Sequence, residues 1–208
     1  MTDGIIFDLD GTLWDSCQTV AESWQRTLRE NYKPDAVVTA SDIAGIMGMT
    51  PAQITAALFS EYGDSAEEIA QRCMREECEY IAVHGGRLYD GIEEVLKALS
   101  KEHKLFIVSN CQLGYIKSFL DYTGFSKYFT DFIEQASTGL SKGENNRLII
   151  ARHSLKSPVY IGDTASDKAS AEFAGIPFIY AAYGFGKLEG EALAVSTPAE
   201  IPGVIASL

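Results

Sequence analysis

Ile5-Ile6-Phe7-Asp8-Leu9-Asp10-Gly11-Thr12-Leu13 is the stretch that decides the fold. Three apolar residues in a row, two of them isoleucine, have the composition of a strand buried on both faces. Strand alternation turns Asp8 and Asp10 to one side, and Gly11-Thr12 ends the strand. Two carboxylates therefore sit together at the carboxyl end of a hydrophobic strand, where active sites of open α/β sheets collect. Adjacent carboxylates resist being ionised together, so a cation, a shared proton or a solvated turn has to relieve them. Asp-Gly is also a common turn dipeptide, and the rest of the chain has to discriminate between these readings.

The 208 residues suffice for one large domain or a domain with a small insertion, and 46% apolar with 22% charged residues is ordinary globular composition. A net charge of -12 argues against a nucleic-acid surface, which needs a basic face. It also requires local cations for any phosphorylated ligand. Met1-Thr2-Asp3-Gly4 lacks the basic region of a signal peptide and no apolar run has the length of a membrane span, so a cytoplasmic protein without membrane association is expected. Cys17, Cys73, Cys78 and Cys111 are scattered without metal-ligand spacing and read as free thiols.

After Leu13 the period changes to helical: Cys17, Val20, Ala21, Trp24 and Leu28 share a face, with Asp15 or Ser16 placed as cap. Further helices are expected from Ser41 to about Met47, Pro51 to about Tyr62 and Asp64 to about Val83, the last opening on a capping-box-like Asp64-Ser65-Ala66-Glu67. No strand is read between Trp14 and His84. From Leu88 onward helices and strands alternate. Helices read at 90–102, 112–122, 142–153 and 165–174, and strands at 105–108, 131–134, 159–161 and 177–180. Alternation of this kind predicts an α/β fold, a parallel sheet covered by helices on both faces. Residues 1–13 and 85–208 then form a Rossmann-like core. Residues 14–84 form an all-helical insertion placed as a cap over the carboxyl end of the first strand.

Each later strand end carries chemistry. Ser109 and Asn110 close one strand, where they either bind an oxyanion or cap the next helix. Ser141-Lys142-Gly143-Glu144 reads as a capping box, which makes Lys142 the first helical residue. The helix dipole disfavours a cation there by about 0.3–1 kcal/mol, so an anion nearby is expected; a solvated surface lysine is the plain alternative. Gly162-Asp163 ends a third strand, with Asp167 on the first turn beyond it in a Thr164-x-x-Asp167 capping pattern. Carboxylates from two strand ends beside an anion site suit Mg²⁺, a hard cation that takes few carboxylates plus phosphate.

The four motifs together resemble the haloacid dehalogenase superfamily. D-x-D-G-T matches Asp8 to Thr12, the second motif matches Ser109, the third Lys142, and G-D-x-x-x-D matches Gly162 to Asp167. The resemblance extends over the whole chain, the helical cap included. Asp15-Ser16 and Tyr183-Gly184-Phe185-Gly186 look like the phosphoglycolate phosphatase and β-phosphoglucomutase branch. There are departures. Gly143 stands where the family often has proline, and the cap loop Met47-Gly48-Met49-Thr50-Pro51 lacks the arginine of the mutases. Asp10 argues against dehalogenation, and no cap lysine of the phosphonoacetaldehyde hydrolase kind is found.

The resemblance implies a Mg²⁺-dependent phosphatase for small phosphorylated metabolites, monomeric or homodimeric. Asp8 would be the nucleophile and Asp10 the general acid and base. Ser109, Asn110 and Lys142 would hold the phosphoryl oxygens, Asp167 would orient Lys142 or a metal-bound water, and Asp8, Asp10 (through its backbone carbonyl) and Asp163 would hold the metal. A sugar phosphomutase of the β-phosphoglucomutase type is the alternative, and a non-enzymatic phospho-acceptor switch the third reading. The cap's basic residues Arg26, Arg29, Lys33, Arg72 and Arg75 fall on or beside solvated helical faces, so monophosphates with uncharged leaving groups are expected to outperform bisphosphates. The thioethers of Met47 and Met49 predict tolerance of several substrates.

Overall fold

The computed structural model describes residues 2–190 and 192–208. The chain begins with β1 (Gly4–Phe7) and β2 (Trp14–Asp15), then α1 (Cys17–Asn31), α2 (Ala40–Ala44), α3 (Pro51–Leu58) and α4 (Ala66–His84). It continues through β3 (Arg87–Leu88), α5 (Ile92–Leu99), β4 (Lys104–Ser109), α6 (Tyr115–Thr123), β5 (Phe129–Glu134) and α7 (Gln135–Thr138). The last part holds α8 (Lys142–His153), β6 (Pro158–Gly162), α9 (Ala165–Ala174), β7 (Phe178–Ala181), β8 (Leu193–Val195) and α10 (Ile201–Ala206).

One sheet has the order β5-β4-β1-β6-β7-β8, and every neighbouring pair in it is parallel. β1 is central because Ile5, Ile6 and Phe7 are fully buried, each such side chain contributing about 1.5–3 kcal/mol. Alternation distributes the strand residues over two cores. Ile5, Phe7, Ile107 and Ile161 join Val95, Phe119 and Ile201 of α5, α6 and α10 on one face. Ile6, Phe106, Val108 and Tyr160 join Ile149 and Ala171 of α8 and α9 on the other. The α/β architecture with helices on both faces is the one expected from the alternating pattern.

The chain leaves β1 to one side for β4 and β5, then returns to the other side for β6. β1 is thus flanked by strands reached in opposite directions, the switch point where such sheets open a crevice. Phe7 pairs with Ile107 and with Ile161, so Asp8, Ser109 and Asp163 emerge at one edge.

Several local expectations need correction. Trp14–Asp15 and Arg87–Leu88 form a two-stranded antiparallel ribbon where the sequence pattern predicts no strand. Two residues per strand are too few to show a period. The capping box at Asp64 does not form: a 3₁₀ turn over Ser60–Ser65 leads into α4, and Ser65 has helical φ/ψ without a side-chain cap bond. Thr39, Thr50, Ser141 and Thr164 are extended at the cap position, and all four make the box. The contrast is physical, because only an extended N-cap folds its side chain back onto the N3 amide. Helix α6 begins at Tyr115 rather than Gln112, after a left-handed Gly114. The sequence pattern predicts neither strand β8 nor helix α10. Among the described residues no helix is long and apolar enough to cross a membrane.

Candidate active site

Lys142 reaches across the sheet edge to two carboxylates. Its Nζ donates to Asp8 Oδ1 at 3.0 Å and to Asp167 Oδ1 at 2.7 Å, and the lysine is buried. The solvated-lysine alternative is thereby set aside, and the anion expected from its dipole-disfavoured position is present. Burial opposes its charge, but Asp167 and Asp8 outweigh burial and raise its affinity for the proton. Both oxygens of Asp167 are committed. Oδ1 takes Lys142 and lies 3.2 Å from the Tyr160 hydroxyl; Oδ2 accepts from Thr164 N and Thr164 Oγ1. Asp167 therefore fixes Lys142 in place rather than offering a free oxygen.

Asp10 is clamped from one side. Its Oδ1 lies 2.9 Å from Trp14 Nε1, 2.6 Å from Ser16 Oγ and 2.9 Å from the Tyr115 hydroxyl. Asp15, not Ser16, receives the first helical amide, with Cys17 N donating to its Oδ1 at 3.0 Å. Ser16 is thus released to serve Asp10. Burial pushes Asp10 up to about 6, against the pull of Ser16, Tyr115 and Trp14. A carboxyl group in that range takes and gives protons near neutral pH.

Asp163 approaches Asp8 because glycine lets it. Gly11 has φ +82°, and a Cβ there would lie 2.3 Å from Asp163 Oδ2. Asp163 Oδ2 accepts from Phe185 N at 2.8 Å and Gly186 N at 3.1 Å, while its buried Oδ1 has no partner among the described residues. Ligand oxygens of Asp8, Asp163 and Asp167 lie within 4.8 Å of one another. Burial and Asp167 push Asp163 up to about 6; burial, Asp167 and Asp163 push Asp8 up to about 8, against Lys142. All three ionised beside one ammonium would leave two negative charges, which is why Asp8 and Asp163 hold their protons so firmly and what one divalent cation would balance. The orphaned Asp163 oxygen and an all-oxygen donor set fit a hard cation.

Helices α1, α2 and α3 with the loop before α3 close over this edge and leave a cavity of about 50 Å³ reaching Asp8 and Asp10. Ser109 and Asn110 line it, as do Met47, Gly48 and Met49 of the cap loop. Asn110, placed by sequence among the phosphoryl ligands, gives its Nδ2 to Gly48 O at 2.9 Å and so ties the loop to the core. The Thr50 hydroxyl is used in its own helix cap. Among the described residues that line it, none is Lys, Arg or His. Arg29 is turned to Ala36 O, Arg72 to Glu76 and Lys33 to Glu61, as expected for solvated faces.

Sequence reasoning missed Tyr115, Trp14, Gln112 and Glu77. Glu77 was detectable, since it lies four residues from both Cys73 and Ile81 on the apolar face of α4. Tyr115 carried no signal, being an aromatic residue on a core helix.

The comparisons with known proteins agree with this geometry. Residues 5–181 match the family model of haloacid dehalogenase-like hydrolases. A pyrophosphatase PpaX of Listeria innocua is 31% identical over 171 residues, 78% of this chain and 75% of that protein. A phosphoglycolate phosphatase of Rhodobacter capsulatus is 28% identical over 203 residues, 93% and 90% of the two chains. The crystal structure of a predicted phosphatase from Clostridium acetobutylicum superposes with TM-score 0.79 at 25% identity, over 100% of both chains. The chain belongs to the haloacid dehalogenase-like hydrolase family and is a hydrolase of that family.

Proposed function

We propose that this protein is a Mg²⁺-dependent phosphatase that cleaves small phosphate monoesters through an aspartyl-phosphate on Asp8. The observation that carries the reading is the division of labour between the two acids of one strand end. Asp8 is held by Lys142, whereas Asp10 has one oxygen fixed by three donors. The likeness to a phosphoglycolate phosphatase supports the same chemistry.

In this reading Asp8 attacks phosphorus and the bond to the ester oxygen breaks. Asp10 gives its proton to the departing alcohol, then takes one from the water that attacks the acyl-phosphate. Lys142, Ser109 and the amides around Asn110 stabilise the charge on the transferring oxygens. Asp167 keeps Lys142 aimed. A Mg²⁺ ion held by Asp8, the Asp10 backbone carbonyl and Asp163 would offset the repulsion between carboxylate and phosphoryl group. Residues 14–84 act as the cap that shields the reaction from bulk water. A mutase would keep a second phosphate under the cap, and the described residues of the cavity wall offer no cation for it.

The test is release of inorganic phosphate from p-nitrophenyl phosphate with Mg²⁺, and again with excess chelator. Turnover is expected only with the ion, while circular dichroism stays unchanged. Full activity in chelator would sink the metal assignment. Tyr115→Phe, which removes one of the three donors to Asp10 and little volume, is expected to lower kcat about tenfold or more with KM nearly constant. A hydrogen bond to a charged group contributes about 1.5–3 kcal/mol, and each 1.36 kcal/mol is tenfold in rate. A kcat at the wild-type level would mean that Asp10 is oriented without the tyrosine.

A further inference from the structure

Glu77 is a buried acid that the reaction does not use. It stands on the face of α4 otherwise made of Ile69, Ala70, Cys73, Met74 and Ile81, and it lines the cavity that contains Asp10. Its two oxygens are served from opposite sides: Trp24 Nε1 of α1 donates to Oε2 at 2.5 Å, and Gln112 Nε2 of the core donates to Oε1 at 3.0 Å. A carboxylate has about four acceptor positions, so these two bonds fix the group without exhausting it. The same wall holds apolar residues such as Ile43, Met47 and Met49 and the neutral polar Ser109 and Asn110, and its charged members among the described residues are Asp8, Asp10 and Glu77.

We propose that Glu77 selects the leaving group, hydrogen-bonding a hydroxyl on the alcohol half of the substrate and turning away leaving groups that carry a carboxylate or a second phosphate. This inference rests on the phosphatase reading above and names its substrate class: small polyol or sugar monophosphates. A hydroxyl meets Glu77 in either protonation state, donating to the carboxylate and accepting from the acid. An anionic leaving group instead enters a small cavity in which the charged side chains among the described lining residues are all acids. Burying an acid on an apolar helix face is costly unless it is hydrogen-bonded, and Trp24 and Gln112 supply those bonds. Its two partners come from two segments remote from α4 in the chain, so its position is set to within hydrogen-bond tolerance before any ligand arrives.

The discriminating pair is 2-hydroxyethyl phosphate and phosphoglycolate, which differ only in the distal hydroxymethyl or carboxylate group, with ethyl phosphate as the reference lacking both. The wild-type enzyme with Mg²⁺ is expected to favour 2-hydroxyethyl phosphate over phosphoglycolate at least tenfold in kcat/KM. In Glu77→Gln that ratio is expected to fall at least tenfold. In Glu77→Asp, which keeps the charge but withdraws it, the preference for hydroxyethyl over ethyl phosphate is expected to fall while phosphoglycolate stays disfavoured. A merely structural Glu77 would lower the melting temperature and leave these ratios where they are, which overturns the inference. Wild-type preference for phosphoglycolate overturns it as well, even if both variants fail to fold. If none of the esters, nor p-nitrophenyl phosphate, releases phosphate, the phosphatase reading itself has failed.

Discussion

Asp8→Asn is expected to lower kcat by about four orders of magnitude or more, the usual scale for losing a catalytic nucleophile. The amide has the shape of the carboxylate but cannot form the acyl-phosphate. Its effect on the fold should be opposite in direction to its effect on activity. Asp8, Asp163 and Asp167 share a single ammonium in a buried cluster, so neutralising one of them relieves like-charge repulsion. Without Mg²⁺ the variant should therefore melt no lower than the wild type. Steady-state turnover and a thermal melt on the same preparation check both halves. More than a trace of activity would reassign the nucleophile.

Lys142→Met is expected to do the reverse to stability. The lysine side chain is buried between Asp8 and Asp167, and removing one partner of a buried ion pair costs about 3–5 kcal/mol because the remaining charge is stranded. For a chain of this size each kcal/mol moves the melting temperature by about 2–4 °C, so a fall of about 6–20 °C is expected without metal. Added Mg²⁺ should recover part of it, since a divalent ion at the same carboxylates supplies the missing positive charge. Turnover should fall by about 10²–10³, the cost of removing one group that stabilises developing charge. Scanning calorimetry with and without Mg²⁺ reads the first effect. A variant melting with the wild type would show that the three side chains are not coupled as the geometry implies.

Much of the sheet could be read from sequence because its strands are short, apolar and bounded by polar residues. β1, β4 and β6 announce themselves, and α8 and α9 were placed to the residue by their capping boxes. Lys142 was legible for an electrostatic reason, being a cation at the wrong end of a helix. Hydrophobic period could not show which residues the folded chain brings to Asp10. Trp14, Ser16 and Tyr115 converge from a two-residue strand, a helix start and a core helix. Contacts across 105 positions of sequence leave no local pattern. The sequence pattern places Gln112 in a helix, yet Glu134 binds the amides of Gly114 and Ile116. The preceding turn is left outside the helix, with Gln112 against Glu77. Ser65 shows the complementary failure. The right residues for a cap stood in the sequence, but the backbone there was already helical.

The proposed chemistry turns on a covalent phosphoryl group on Asp8, which Asp10→Asn should make visible. With the base removed, hydrolysis of the intermediate should slow more than its formation, so the phosphoenzyme accumulates. The protein is mixed with a phosphate monoester and Mg²⁺, quenched in acid within seconds and digested for mass spectrometry. One added phosphoryl group is expected on the peptide carrying Asp8, absent from the Asp8→Asn, Asp10→Asn double variant. A phosphoryl group on any other residue, or its persistence in the double variant, would contradict it.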